Sequence, residues 1–158
     1  MVTEFSPQFT LDDLYISPFT AERYYDDKTG EPIYRPVERN ITPTGIHMMD
    51  AYLQIVCTSK SYTRNTLEQR LGVPLIEFSV MCRLLTGLPQ DELHDALRLR
   101  LADDLLRYTS LDLRDIAFRC GFSAYSGLSK LFEKKYHCSV SERQKKVRGK
   151  NDEGRYRI

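Results

Sequence analysis

Two stretches of this 158-residue sequence repeat one plan, in which a short helix, a turn containing glycine and a longer helix follow one another. The first stretch reads TLEQRLGVPLIEFSVMCRLLTG, and the second reads LRDIAFRCGFSAYSGLSKLFEKKYH. One such helical hairpin is common in all-α domains, whereas two copies joined by a single long helix constrain the fold strongly. The plan is that of a helix-turn-helix unit, whose second helix is shaped to enter the major groove of DNA.

A long helix is predicted between the two stretches, over residues 90–109. Its apolar side chains recur at spacings of four and three, which indicates one buried stripe. The stripe consists of Leu93, Leu97, Leu101, Leu105 and Tyr108. Other helices are predicted over residues 48–57, from a cap at Thr66 to Gly72, from Pro74 to Gly87, and over residues 141–147. The pattern predicts an all-α fold with two helix-turn-helix units bridged by a long linker helix.

Residues 1–44 show no sustained helical period and are predicted to form a short irregular or β-hairpin N-terminal arm of unknown role. Within the arm, RYYDDKTGEPIYRPV reads as two strands around a turn, and Pro32 and Pro36 keep the second strand at an edge. Pro43 and Gly45 mark the boundary to a domain of residues 45–148. Its first unit covers about residues 60–88, and its second unit covers about residues 112–137. Residues 149–158 have nothing to bury and are expected to form a mobile basic tail.

Charge is unevenly distributed, although the net charge of the chain is only +1. Residues 1–44 carry four basic and eight acidic side chains, whereas residues 119–158 carry eleven basic and four acidic ones. A basic segment attached to a neutral body is expected of a protein that contacts a polyanion. A solvated charged tail would have the same composition, so charge alone leaves both interpretations open.

The sequence contains no constellation typical of an enzyme or a metal site. Its four cysteines lie far apart without a CxxC pair, and its three histidines are isolated, so we expect structural thiols and neither a cofactor nor a metal. It has no nucleophile–base set and no glycine-rich phosphate loop. No apolar run approaches the roughly 18 residues that span a bilayer, and the N-terminus lacks a signal segment. A cytoplasmic protein without membrane contact is therefore expected.

The run LRLRLADDLLRYTSLDLRDIAFRCGFSAYSGLSKLFEKKYHCSVSE resembles the C-terminal DNA-binding domain of the AraC/XylS transcription regulators. The matching elements are the leucine-rich linker, IleAla at 116–117, GlyPheSer at 121–123 and LeuSerLys-x-Phe at 128–132, and the upstream LGVP…TGLP fits the first unit. The resemblance covers about residues 46–147. It implies a bacterial regulator that binds double-stranded DNA, with RNA polymerase or another regulator as a further partner. The arm is too short for the sugar-binding barrel of many members, so no small-molecule effector domain is expected.

The sequence also departs from the family's pattern. The family usually has a basic residue where Val80 stands and aromatic residues where Glu77 and Cys82 stand. These differences make the first unit less suited to reading DNA. A glycine and a proline are usual where His137 and Val140 stand. These differences change how the chain continues after the longer helix of the second unit, and we expect the fold to tolerate them.

In the second unit, the outward positions of the longer helix carry short polar and basic residues. The candidate DNA-binding residues are Tyr125, Ser126, Gly127, Ser129, Lys130 and Lys134. Hydroxyls near the helix start can approach base edges, Lys130 can reach a guanine or a phosphate, and Lys134 can neutralise a phosphate. Gly127 gives the backbone room to approach the groove. Further phosphate candidates, or simply parts of a charged tail, are Arg143, Lys145, Lys146 and Arg148.

In the first unit, the outward positions offer few donors. They are Ile76, Glu77, Ser79, Val80 and Arg83, of which all but Glu77 are candidate DNA-binding residues. The Val80 side chain can contact a thymine methyl group but cannot form hydrogen bonds to guanine. Phosphates repel the carboxylate of Glu77. Direct base reading, a weak groove contact and a protein-facing apolar patch all stay open for this unit.

Three functions are compatible with these observations. The leading one is a sequence-specific DNA-binding transcription regulator that is not an enzyme. The alternative is a decayed helix-turn-helix scaffold that acts through protein–protein contacts. A DNA alkyl-repair protein ranks last, because it would need a reactive zinc-bound cysteine segment and residues 1–44 contain no cysteine.

Overall fold

The computed structural model describes residues 6–59 and 61–158, and within them the chain forms eight helices and three short strands. They are, in chain order, α1 (Leu11–Leu14), β1 (Ala21–Tyr25), β2 (Pro32–Pro36), α2 (His47–Thr58), α3 (Arg64–Leu71), α4 (Leu75–Thr86), α5 (Gln90–Tyr108), α6 (Leu113–Arg119), α7 (Tyr125–Tyr136), α8 (Val140–Val147) and β3 (Tyr156–Arg157). This confirms the predicted helical fold with a hairpin arm. None of the described helices is long and apolar enough to cross a membrane. The described residues exclude residues 1–5, which belong to the N-terminus predicted to lack a signal segment. They also exclude Lys60, where the first unit is predicted to start.

Two hydrophobic cores, one under each helix-turn-helix unit, are joined by α5. Leu93 and Leu97 in the first half of α5 are buried with residues of α2, α3 and α4. Leu101 and Leu105 in its second half are buried with residues of α6, α7 and α8. The predicted leucine stripe is therefore buried, and it serves two cores because a helix of 19 residues extends roughly 28 Å.

Glycines and caps determine where the helices of the first unit begin and end. Gly72 after α3 and Gly87 after α4 have φ of +75° and +78°, which ends both helices as predicted. The predicted cap at Thr66 is wrong. Thr63 caps α3, and its hydroxyl accepts a hydrogen bond from the backbone N–H of Thr66 at 3.2 Å. The helix therefore begins about one turn earlier than predicted.

The arm forms the predicted hairpin. β1 and β2 pair antiparallel, with Ala21 opposite Pro36, and β2 lies at the edge of the sheet, as its prolines indicate. The short helix α1 precedes the hairpin and starts with a capping box between Thr10 and Asp13. It is not predicted from the sequence pattern, because four residues are too few to show a helical period.

The C-terminal segment is packed, which corrects the expectation of a mobile tail. β3 pairs antiparallel with β1, with Tyr156 opposite Glu22. The Tyr156 ring stacks on Phe19, with ring centroids 4.7 Å apart. Asp152 is buried and accepts a 2.9 Å hydrogen bond from Arg107 of α5. Residues 149–158 have packing partners because folding brings the arm and α5 next to them. The sequence of this segment alone does not indicate these partners.

Candidate DNA-contacting surface

The second helix-turn-helix unit is built on α6 and α7. The side chain of Asp112 caps α6 by accepting a 2.8 Å hydrogen bond from the N–H of Asp115. The turn after α6 contains Gly121, whose φ of +83° strains residues other than glycine. A Cβ at Gly121 would also overlap the hydroxyl of Tyr62, in the loop before α3. The side chains that hold α7 on the core are Ile116, Ala117, Phe122, Leu128 and Phe132, all buried.

The outer face of α7 carries the predicted contact residues. Those exposed to solvent are Ser126, Lys130 and Lys134, and those half-buried are Tyr125 and Ser129. Lys134 lines a groove between α7 and α5 that Glu92 and Asp95 also line, so acidic side chains share its surroundings. Ser126 and Lys130 are therefore the better placed of the exposed residues to meet a base.

Gly127 has a packing role inside the second unit. A Cβ at this position would lie 3.0 Å from the Phe122 ring, closer than ordinary van der Waals contact. A larger residue here would require the Phe122 ring to shift by a few tenths of an ångström, which is a packing constraint unrelated to DNA. The close approach of its backbone to a groove stays a prediction.

The first unit is built on α3 and α4 in a similar way, but its outer face is different. Its buried side chains are Leu67, Leu71, Leu75, Phe78 and Cys82. On the outside, Ile76 and Val80 are 75% and 61% exposed, and Glu77 and Arg83 are exposed as well. Leu84, one turn after Val80, is 66% exposed. It is missing from the predicted set, although its spacing of four from Val80 would have pointed to it.

Ser79, predicted on the outward face, is half-buried at the joint between α4 and α5. Its hydroxyl oxygen accepts a 2.9 Å hydrogen bond from the backbone N–H of Gln90, the first residue of α5. Because Pro89 provides no side-chain cap, Ser79 satisfies one of the free N–H groups at the start of this helix. Its clearest role is therefore to hold α5 against α4.

The match to a known family decides what these two units are. The model of a helix-turn-helix domain family matches residues 67–146, just over half of the chain, from α3 to α8. The chain belongs to the AraC/XylS family. It is therefore a DNA-binding transcription regulator.

Solved structures are similar to this AraC/XylS protein over part of its length. The C-terminal domain of the two-component response regulator YesN from Fusobacterium nucleatum is 27% identical, with 52% of this chain and 81% of that chain covered and a TM-score of 0.44. The xylose-binding transcription activator XylR is 17% identical, with 76% and 33% covered and a TM-score of 0.52. The similarity to XylR shows the fold, and this chain spans a third of that protein. No curated protein matches the sequence significantly.

Two predicted phosphate contacts of the AraC/XylS protein are engaged within the fold. Arg143 of α8 forms a 2.9 Å ion pair with Asp103 of α5, and its guanidinium lies 4.2 Å from the centroid of the Tyr136 ring. Arg148 donates hydrogen bonds of 2.7 and 2.8 Å to carbonyl oxygens at the end of α5. Both arginines therefore hold α8 to α5. The exposed phosphate candidates of this helix are Lys145 and Lys146.

A largely buried histidine lies where the two units meet. The Tyr62 hydroxyl hydrogen-bonds with Nε2 of His94 of α5 at 2.7 Å. Burial, helped by the nearby positive charge of Arg98, lowers the pKa of His94 from 6.5 to about 4. Arg98 lies over the Phe122 ring of the second unit, 4.0 Å from its centroid. These contacts run from the loop before α3 to the turn of the second unit, so they fix how the units are oriented.

The cysteines are free thiols, and three of them are buried. Burial raises the pKa of the Cys57 thiol to about 11 and that of Cys82 to about 12, and it raises the pKa of Cys120 further. A protonated, enclosed thiol is a poor nucleophile and a poor metal ligand. Within residues 6–59 and 61–158, no cluster of histidine, cysteine and carboxylate side chains could hold a metal ion.

Proposed function

We propose that this AraC/XylS protein is a sequence-specific regulator that reads double-stranded DNA mainly through α7. The observation that carries the proposal is the outer face of α7, where the Ser126 hydroxyl and the Lys130 ammonium group are exposed above a buried core. Hydroxyl and ammonium groups donate hydrogen bonds to acceptors on base edges, and lysine pairs with guanine. On the outer face of α4, Arg83 is the exposed donor among the predicted residues. We therefore expect α4 to distinguish between base pairs less well than α7.

General attraction to phosphate supports the same function. Residues 119–158 carry eleven basic and four acidic side chains, a net charge of +7. Lys145 and Lys146 are exposed in α8, directly after the second unit in the chain. Each phosphate that a basic side chain neutralises releases counterions, so affinity should fall as salt rises.

Selection of bound duplexes from a random pool, followed by base-by-base substitution of the best site, tests the proposal. We expect one strongly specified stretch of a few base pairs and a looser one about a helical turn away. The logarithm of affinity should fall against the logarithm of salt with a slope of roughly 0.9 per phosphate contact. Lys28→Ala, which removes a charge from the exposed hairpin turn, is the control. Selection without a preferred site, or affinity that ignores salt, would contradict the proposal.

One observation favours a second function, that of a scaffold acting through protein contacts. Ile76, Val80 and Leu84 form an exposed apolar surface of the kind that protein partners cover. A scaffold of this kind would select no preferred DNA site, so the same experiment separates the two functions. DNA alkyl repair has no comparable support, because three of the thiols are buried with raised pKa values.

A further inference from the structure

The exposed face of α4 is apolar along most of its length. Ile76, Leu84 and Val80 are 75%, 66% and 61% exposed, and they are the three most exposed large hydrophobic side chains of the described part of the chain. They follow one another at intervals of four residues, so they lie on one side of the helix. A contiguous exposed apolar surface of this kind marks a place where another molecule binds.

The place of α4 in the fold indicates what covers this face. It is the second helix of a helix-turn-helix unit inside the matched region 67–146, and such a unit places its second helix in the major groove. The face is poor in donors, because the Ser79 hydroxyl is engaged at the start of α5. A face of this kind pairs poorly with the acceptors of guanine. The apolar group that base edges present in the major groove is the C5 methyl group of thymine.

We propose that Ile76 and Val80 read thymine methyl groups, so that T·A pairs define the half of the DNA site that faces the first unit. This inference rests on the function proposed above. Arg83 can neutralise a phosphate at the flank. Leu84 lies two turns after Ile76, beyond the N-terminal part of a recognition helix that meets base edges.

Replacing thymine by deoxyuridine tests the inference, because it removes the methyl group and leaves the hydrogen-bonding edges unchanged. The probe is the duplex selected from the random pool, with each thymine replaced singly. The variant Lys130→Ala identifies which half of this duplex faces the first unit. The base preferences of that half should persist in the variant. We expect about fourfold weaker binding for each contacted thymine, the loss expected for one buried methyl group. Ile76→Ala and Val80→Ala should lose a similar factor on the thymine site and stop distinguishing thymine from uracil at their contacts.

Leu84→Ala is the matched control, because it shortens an equally exposed side chain of the same stripe. It should still distinguish thymine from uracil, and all three variants should keep the wild-type melting temperature since none of these side chains is buried. If deoxyuridine binds as tightly as thymine, or if selection specifies no thymine in this half, the inference is wrong while the function proposed for α7 stands. If no duplex is selected at all, the inference and the proposed function both fail.

Discussion

The two helix-turn-helix units share a backbone plan but present different surfaces. α4 and α7 each have 12 residues, and each ends at a residue with left-handed φ, Gly87 in the first unit and His137 in the second. Each also buries a phenylalanine, Phe78 or Phe132. Outside, α4 shows an apolar stripe and α7 shows hydroxyl and ammonium groups. Inward residues thus decide that a unit folds, whereas outward residues, free of packing constraints, decide what it can bind.

The largest difference between the units should appear when each loses an exposed basic side chain. We expect Lys130→Ala to cost about 1–3 kcal/mol on the best site, about 5- to 150-fold in affinity, and less on random DNA. Arg83→Ala on α4 should weaken binding to all DNA alike, because phosphate contacts carry no sequence information. Titration of both variants with the best site and with random duplex measures this. Equal losses of Lys130→Ala on the two duplexes would make Lys130 a phosphate contact and remove the asymmetry.

Acid should weaken the joint that orients the two units. The pKa of His94 is about 4 in the folded protein and 6.5 ordinarily, so the unfolded chain binds more protons between these values. The stability that neutral His94 contributes is therefore full above pH 6.5 and is lost as pH falls toward 4, by about 1–3 kcal/mol. Denaturant unfolding at several pH values measures this slope. In His94→Gln, which cannot be protonated, this part of the slope should be absent, and an unchanged slope would show that other groups cause it.

Adding a charge to α4 should make the first unit resemble the second. We expect Val80→Arg to raise affinity for DNA in general about three- to tenfold and to steepen the salt dependence by roughly 0.9. A new preference for guanine in the looser half of the site would follow if the arginine reaches a base. Val80→Gln, which removes the apolar side chain without adding charge, is the control. An unchanged salt slope in Val80→Arg would mean that this face of α4 does not approach DNA.

The smallest expected difference concerns the ends of the two recognition helices. His137 has φ of +55° where α7 ends, the place that Gly87 occupies after α4. Residues with a Cβ are strained in this region, so His137→Gly should stabilise the protein by about 0.5–1 kcal/mol and Gly87→Ala should destabilise it by about as much. Paired denaturant titrations measure both changes. A destabilised His137→Gly would mean that the histidine side chain makes a contact worth more than the strain.

Most of the architecture could be predicted because it depends on residues that are close in sequence. The glycine turns, the leucine stripe of α5 and the prolines of β2 all act within one element. The incorrect start predicted for α3 also concerns residues that are close in sequence. Thr63 and Thr66 are both acceptable caps, and only the described hydrogen bond shows that Thr63 starts α3.

Which candidate residues the fold leaves exposed is harder to predict, because a polar side chain can bind DNA only if no other element engages it. Lys130, Ile76 and Val80 are exposed as their helical positions indicate. Ser79, a candidate contact, and Arg143, a phosphate candidate or part of a charged tail, are both engaged with α5. No periodicity shows such partners, since they come from another element.

The amino-acid order was therefore sufficient for the two units, the linker helix and the family, because periodicity, glycine turns and the matching motifs are all readable from short stretches of chain. The packing of Tyr156 on Phe19, the cap that Ser79 provides and the ion pair of Arg143 were decided by tertiary structure alone. Each of these joins groups that the sequence keeps apart. A hydrogen bond or ring contact forms only over a few ångströms, so its partners become known only when the chain has brought them together.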